Sequence, residues 1–144
     1  MSYTNGLDKP TDYFNTVLYT GNGSDGREVT GVGFQPDFVW IKPRSVASSH
    51  TQVDSVRGAN GSVMRTIFSN ISDAEESTTS DTNLAYGVVN AITSDGFTVG
   101  SGNTSDGRTN QSSATYCSWN WLAGGTASSN TDGDVTSSVS ANTT

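Results

Sequence analysis

Two adjacent carboxylates, Glu75 and Glu76, are the residues whose type and spacing come nearest to catalytic chemistry in this chain. Glycoside hydrolysis uses two carboxyl groups about 5 to 9 Å apart, which act on opposite sides of one bond. Neighbours in a polar loop seldom converge on one bond, so the pair supports a polysaccharide depolymerase only as an alternative. We therefore expect no catalytic residues and no enzymatic activity.

Metal-ligating residues are also sparse. His50 is the single histidine, and Asp54 would stand roughly 13 Å from it along a strand, too far to share a metal ion. Asn130, Asp132 and Asp134 offer alternating oxygen ligands, but the closing glutamate of a calcium-binding EF-hand loop is missing. We expect a structural histidine, a solvated turn at residues 130–134 and no cofactor, with calcium kept as the alternative.

Two turns, Gly21–Arg27 and Gly102–Arg108, share the pattern Gly-Asn-x-Ser-Asp-Gly-Arg. Amides and carboxylates in such turns bind hydroxyl groups, and tyrosine rings stack on sugar faces. The candidate ligand contacts of this chain are Tyr19, Asn22, Asp25, Asn103 and Asp106.

The elements that would position these residues are strands. Ser, Thr, Asn and Gly make up 70 of the 144 residues, a composition that favours β structure with long polar turns. Only 15% of the residues are charged and the net charge is -7, which offers no electrostatic basis for binding nucleic acid. The chain also lacks an apolar run of about 18 residues, so we expect no membrane insertion.

The run Phe38–Ile41, framed by Pro36 and Pro43, predicts a central strand covered on both faces. In Thr115–Leu122 the period of two places Cys117, Trp119 and Trp121 on one face. We predict that this face packs in the core and meets the strand of Trp40, with Cys117 as a buried thiol.

A further strand is predicted over His50–Arg57, with a salt bridge between Asp54 and Arg57 that shapes the following turn. About eight short strands with turn signals every 8 to 12 residues predict an all-β fold, an antiparallel β-sandwich of jelly-roll or lectin-like (concanavalin A-like) topology. Residues 1–12 are expected to be a leader or linker, 13–125 the sandwich, and 126–144 a Ser/Thr-rich tail that cannot fold alone.

Five blocks of sequence, in order along residues 13–125, resemble an uncharacterised domain family found in tail-fibre-like and other virion proteins of bacteriophages, many of them marine. The blocks are Tyr19-Thr-Gly-Asn-Gly, Gly33-Phe-Gln-Pro-Asp-Phe-Val-Trp-Ile-Lys, Asp54-Ser-Val-Arg-Gly, Ser94-Asp-Gly-Phe-Thr-Val-Gly and Thr115-Tyr-Cys-Ser-Trp-Asn-Trp-Leu-Ala-Gly-Gly.

The resemblance implies a non-enzymatic structural protein of the virion, tail-fibre-like or otherwise exposed on the particle surface. It also implies other virion subunits as partners, a homo-oligomer with a trimer favoured, and contact with a host surface glycan. A free carbohydrate-binding, lectin-like module is the alternative that the same residues leave open.

Overall fold

Antiparallel strands form most of the regular structure in the computed structural model, which describes residues 9–58, 64–77, 86–100, 102, 107–124 and 126–140. The strands are β1 (Phe14–Thr20), β2 (Arg27–Val29), β3 (Phe38–Pro43), β4 (Thr51–Asp54), β5 (Arg65–Phe68), β6 (Glu76–Ser77), β7 (Val89–Thr93), β8 (Gly96–Val99), β9 (Thr115–Trp121), β10 (Ser128–Asn130) and β11 (Ser137–Val139). A 3-10 turn, Pro10–Asp12, precedes β1, and a one-turn helix, α1 (Ser55–Gly58), follows β4. The all-β antiparallel fold is confirmed; the additional strands are β6, β10 and β11.

The larger sheet has six strands in the order β1-β9-β3-β4-β5-β6. Strand β3 lies inside it, with β9 and β4 as its neighbours, so the predicted central position of Phe38–Ile41 is confirmed. Strand β9 lies between β1 and β3 and pairs antiparallel with both. Each strand therefore has one face toward the core and one toward the outside, because side chains alternate along a strand.

A three-stranded sheet, β2-β8-β7, supplies the second layer. Its residues Val29, Phe97 and Val99 belong to the same core cluster as Val39 and Ile41 of β3. The β7–β8 hairpin turns at Ser94-Asp95-Gly96 as predicted. Together the two sheets form a β-sandwich whose core lies between them.

The face of β9 that points into this core is the opposite of the predicted one. Tyr116, Ser118 and Asn120 are fully buried, whereas Trp121 is 36% exposed. The alternation was correct, but the small inward side chains of Ser118 and Asn120 lie inside the sandwich while the indoles lie outside. Cys117 is buried as predicted, although it belongs to the outer face.

The predicted strand His50–Arg57 ends early, at Asp54, because the Asp54 side chain caps α1. Its Oδ1 accepts the N–H groups of Val56 at 3.1 Å and Arg57 at 2.9 Å, as an N-cap aspartate does. The helical turn brings the two side chains together, and Arg57 Nε lies 2.6 Å from Asp54 Oδ2. The predicted salt bridge is confirmed.

One buried amide, that of Asn110, holds the turn that follows β1. Its Nδ2 donates to Asn22 Oδ1 at 2.9 Å and to the carbonyl of Ser24 at 2.7 Å. Its Oδ1 accepts the N–H of Asn22 at 3.1 Å and Arg27 Nη1 at 3.3 Å. The polar turn is thereby fixed against the segment before β9.

Asp37 performs the same function at the opposite end of the larger sheet. Its Oδ1 accepts the hydroxyl of Ser55 at 2.8 Å, and its Oδ2 accepts the N–H of Ala123 at 2.8 Å. The backbone N–H of Asp37 donates to the carbonyl of Trp121 at 2.8 Å. One carboxylate thus connects the entry to β3 with α1 and with the end of β9.

Asp95, in the β7–β8 turn, receives two backbone N–H groups from the loop before β3. Gly31 donates to Oδ2 at 3.0 Å and Gly33 to Oδ1 at 2.6 Å, and these bonds lower the pKa of Asp95 below its ordinary value of 3.8. The carboxylate therefore connects the hairpin of the smaller sheet to a loop that enters the larger one.

Two glycines lie where backbones approach closely. A Cβ on Gly21 would stand 2.0 Å from the carbonyl oxygen of Gln111, and a Cβ on Gly96 would stand 2.0 Å from that of Val29. Gly96 also has φ +151°, in the region that favours glycine.

Part of the segment predicted as a Ser/Thr-rich tail forms a hairpin. Strands β10 and β11 pair with each other as a separate two-stranded sheet, and all three residues of β11 are exposed. In the connecting turn Asn130 Oδ1 accepts the N–H of Asp132 at 3.0 Å.

Replacing Asn110 by alanine should lower the free energy of unfolding by about 1–3 kcal/mol, because the backbone groups it bonds would lose buried partners. Asn130→Ala, in the β10–β11 hairpin, is the control and should change stability by less than about 0.5 kcal/mol. Urea unfolding followed by tryptophan fluorescence measures both. Equal effects would contradict the role given to Asn110.

Asp95 should make the stability of the fold depend on pH in the acidic range. A carboxylate with a lowered folded-state pKa stabilises the fold above its ordinary pKa of 3.8, and that contribution is lost as the pH falls through the folded-state value. Asp95→Asn should therefore reduce stability at neutral pH and weaken the loss of stability on acidification below about pH 4. Urea midpoints between pH 2.5 and 7, with Asp132→Asn as control, test this; an unchanged pH profile would contradict it.

Candidate functional site

The predicted ligand contacts are only partly brought together. Tyr19 is 9% exposed, and its hydroxyl donates to the carbonyl of Thr109 at 2.7 Å. Its ring stacks on Tyr116 with centroids 4.9 Å apart, and burial raises its pKa well above 10.0. The side chain of Tyr19 is therefore part of the core.

Asn22 and Asp25 lie in the exposed turn after β1. Asn22 Oδ1 accepts the N–H of Ser24 at 2.9 Å in addition to its bond from Asn110. Asp25 Oδ1 accepts Asn90 Nδ2 at 3.5 Å. Asn103 and Asp106 lie outside the described residues, so the second turn of the predicted pair is not compared with the first.

Glu75 and Glu76 are held by different arginines. Glu75 lies 3.0 Å from Arg57 and 3.7 Å from Arg65 at the surface. Glu76 lies 2.9 Å from Arg108, with side chains only 15% and 7% exposed. Arg108 also lies over the rings of Phe68, at 4.2 Å, and Tyr86, at 4.9 Å. These are the contacts of structural ion pairs.

The backbone N–H of His50 donates to Asn70 Oδ1 at 2.8 Å, and its ring Nδ1 lies 3.4 Å from the hydroxyl of Ser69. Partial burial and the nearby Lys42 lower its pKa below 6.5. The described part of the chain contains no group of three or more His, Cys, Asp or Glu side chains arranged to hold a metal ion. It also contains no helix with the length and hydropathy required to cross a bilayer.

Several large apolar side chains lie on the outer face of the six-stranded sheet, which we call the outer aromatic face. Its members are the outward side chains of β1, β9, β3 and β5 that are apolar: Phe14, Leu18, Trp119, Trp121, Phe38, Trp40 and Ile67. Strand registry sets them in rows across the sheet.

The first row runs Phe14, Trp121, Phe38 across three adjacent strands. The Trp121 ring centroid lies 4.9 Å from that of Phe14 and 5.2 Å from that of Phe38. In the second row Trp119 and Trp40 are opposite each other with centroids 5.5 Å apart. The rings pack on one another rather than under a second layer.

Four members of this face retain substantial exposure: Leu18 at 60%, Phe14 and Ile67 at 37%, and Trp121 at 36%. Three strands, β1, β9 and β3, about 4.8 Å apart and five residues of β1 about 3.3 Å apart give the adjacent apolar rows a span of roughly 10 by 13 Å, and Ile67 lies beyond Gln52 of β4. Exposed apolar patches on a monomer often mark interaction sites.

Polar side chains lie beside and between the apolar ones of the outer aromatic face. Asp54 of β4 stands beside Phe38, Gln52 lies between Trp40 and Ile67, and Lys42 stands beside Cys117.

The sequence held a signal for this face, which the prediction of a strand covered on both faces used for β3 but which was not used for β9. Strands β3 and β9 carry large apolar residues in both alternating positions, Val39 and Ile41 against Phe38 and Trp40, and Tyr116 against Trp119 and Trp121. A strand with two apolar faces needs cover on both, and the described residues provide a second sheet on one face only.

Comparison with known proteins gives one match. A family model described as a domain of unknown function, DUF7483, matches residues 9–144. Comparisons with curated proteins and with solved structures found no match.

The adjacent glutamates should differ in what they contribute. Glu76→Gln should lower the free energy of unfolding by about 2 kcal/mol, because it replaces a charged hydrogen bond between two buried side chains by a neutral one. Glu75→Gln, the matched control at an exposed position, should cost less than about 1 kcal/mol. Thermal and urea unfolding measure both. Equal costs would contradict the assignment of Glu76 as the buried partner.

Proposed function

The chain belongs to the DUF7483 domain family, whose function is unknown. We propose that this protein is a non-enzymatic structural protein of a bacteriophage virion, tail-fibre-like or otherwise exposed on the particle. The outer aromatic face is the observation that carries this proposal. It gives the domain an apolar surface for contact with other virion subunits. Five sequence blocks within residues 13–125 resemble virion proteins and occur in the same order, and this resemblance is the reason for proposing a location on the virion.

The engagement of the acidic residues supports a non-catalytic role. Asp37, Asp54, Glu75 and Glu76 all accept hydrogen bonds from backbone groups, hydroxyls or arginines within the fold. Glu75 and Glu76 bind different arginines, so the pair does not present two carboxyl groups to one bond in the way a glycoside hydrolase does. This disfavours the depolymerase alternative.

A carbohydrate-binding, lectin-like role is the second candidate, because the row that holds the partly exposed rings of Phe14 and Trp121 continues through Phe38 to the polar side chain of Asp54. The ring planes are tilted by 50° to 57° between neighbours. They do not form a single flat platform for a sugar ring, so the packing favours a protein partner. Glycan-array binding with and without calcium tests the second role, and saturable binding that Trp121→Ser abolishes would favour it over the first.

The proposed role is tested on particles of a phage that encodes this chain. Mass spectrometry of purified virions should detect the protein at a fixed copy number, and gold-labelled antibodies should mark it on the exterior. Absence of the protein from gradient-purified particles would overturn the virion role.

Substitutions in the outer aromatic face should weaken incorporation. We expect Trp121→Ser and Ile67→Ser to reduce the copy number per particle about tenfold, which corresponds to roughly 1.4 kcal/mol of association free energy. Val139→Ser is the matched control, because Val139 is 40% exposed but lies in the C-terminal hairpin. Urea unfolding confirms that each variant is folded before the comparison. Full incorporation of both face variants would contradict the assignment of this face.

A further inference from the structure

Strand β1 forms one edge of the six-stranded sheet. It pairs with β9 on one side, and no described strand pairs with it on the other. Its outward side chains Phe14, Thr16, Leu18 and Thr20 are exposed. An exposed edge strand of seven residues is a template on which another chain can add.

The hydrogen-bond pattern shows which backbone groups point outward from this edge. The N–H of Leu122 donates to the carbonyl of Tyr13, and the N–H of Gly21 donates to the carbonyl of Ala114. Bonded positions alternate in an antiparallel pair, so the odd-numbered residues of β1 bond with β9. The N–H and C=O groups of the even-numbered residues therefore face away from the sheet.

Two of the outward groups are already occupied. Asn15 Oδ1 accepts the N–H of Thr16 at 2.9 Å, and Arg27 Nη1 donates to the carbonyl of Thr20. Both backbone groups of Phe14 and of Leu18 lack a partner within the part of the chain that the structure describes. The unpaired backbone N–H and C=O groups therefore belong to the residues two positions before and two positions after Thr16.

We infer that a second copy of this chain adds to β1 as an antiparallel strand, with a two-fold axis at Thr16. Phe14 of each copy then lies opposite Leu18 of the other, and their free N–H and C=O groups form four hydrogen bonds. The Phe14 and Leu18 side chains meet as two stabilising cross-strand pairs on the outer aromatic face.

The neighbouring register is less favourable. An axis at Val17 would place Phe14 opposite Thr20 and Thr16 opposite Leu18. The occupied groups of Thr16 and Thr20 would then leave the N–H of Phe14 and the carbonyl of Leu18 unpaired in both copies, four groups in all. The axis at Thr16 leaves the carbonyl of Thr16 and the N–H of Thr20 unpaired in both copies, also four groups. The axis at Thr16 is favoured because it alone sets the apolar side chains of Phe14 and Leu18 opposite each other.

The charge distribution is compatible with a second copy as the occupant. The chain has net charge -7, but β1 contains no charged residue, so pairing brings no carboxylates together at the edge. It also contains no lysine or proline, the residues that commonly protect an edge from pairing.

This inference rests on the assembly role proposed above and names the edge through which two copies meet. One strand pair buries less than the roughly 800 Å2 per partner of a standard stable interface. We therefore expect a weak pair in dilute solution that becomes favourable where copies are held close together on a particle.

Disulfide cross-linking tests the pairing register of β1 between the two copies directly. In the proposed pair the two Thr16 Cα atoms lie about 5.5 Å apart, within the range of a disulfide. Thr16→Cys, in a Cys117→Ser background that removes the native thiol, should form a covalent dimer under mild oxidation. Leu18→Cys in the same background is the control, because its Cα atoms would lie roughly 14 Å apart. We expect at least a tenfold lower yield of covalent dimer for the control, and equal yields would overturn the register.

A proline variant tests whether the backbone of β1 takes part in the pairing. Leu18→Pro removes an outward N–H and leaves the bonds to β9 intact, so the monomer should remain folded while the Thr16→Cys cross-link is lost. Leu18→Lys serves the same purpose if the proline variant does not fold. A persistent cross-link in the folded variant, or a trimer by light scattering without the cross-link, would overturn the inference. Incorporation into particles that depends on Trp121 but not on Leu18 would retain the proposed function and remove only the edge.

Discussion

Backbone groups in the long polar loops must find hydrogen-bond partners where they pack against the sandwich, and a few buried or capping side chains supply them. Asn110 holds the turn after β1, Asp37 ties the entry to β3 to the end of β9, and Asp95 joins the β7–β8 turn to the loop before β3. Only 32% of the residues are hydrophobic. The conformations of the loops therefore depend on specific amide and carboxylate side chains as well as on apolar burial. Replacing one of these side chains would affect two structural elements at once.

The position of β9 between β1 and β3 links this fold to its proposed role. On the inner face the small side chains Ser118 and Asn120 are fully buried, with Tyr116 beside them. On the outer face Trp119 and Trp121 pack against aromatic residues of the neighbouring strands. Because the bulkiest side chains of β9 point away from the core, the domain presents an apolar surface that would otherwise have been interior.

Local pattern was sufficient to predict β1, β3, β9 and the β7–β8 hairpin, since their alternation and turn residues are encoded within a few positions. It could not determine which face of β9 is inward, because both alternating sets contain large aromatic residues and the choice depends on distant strands. The end of β4 at Asp54 was missed because helix capping competes with strand propensity at that residue. Contacts such as Asn110 with Asn22, separated by 88 positions, leave no local signal. The outer aromatic face did have a local signal, since β3 and β9 carry large apolar residues at both alternating positions, but which face stays uncovered depends on distant strands.

Gly21 and Gly96 impose a different kind of constraint. Each lies against a carbonyl of a distant segment, Gln111 in one case and Val29 in the other, at a distance that excludes any side chain. These two contacts require a bare backbone wherever the same strand arrangement is kept. Members of the family that keep this arrangement are therefore expected to keep glycine at both positions.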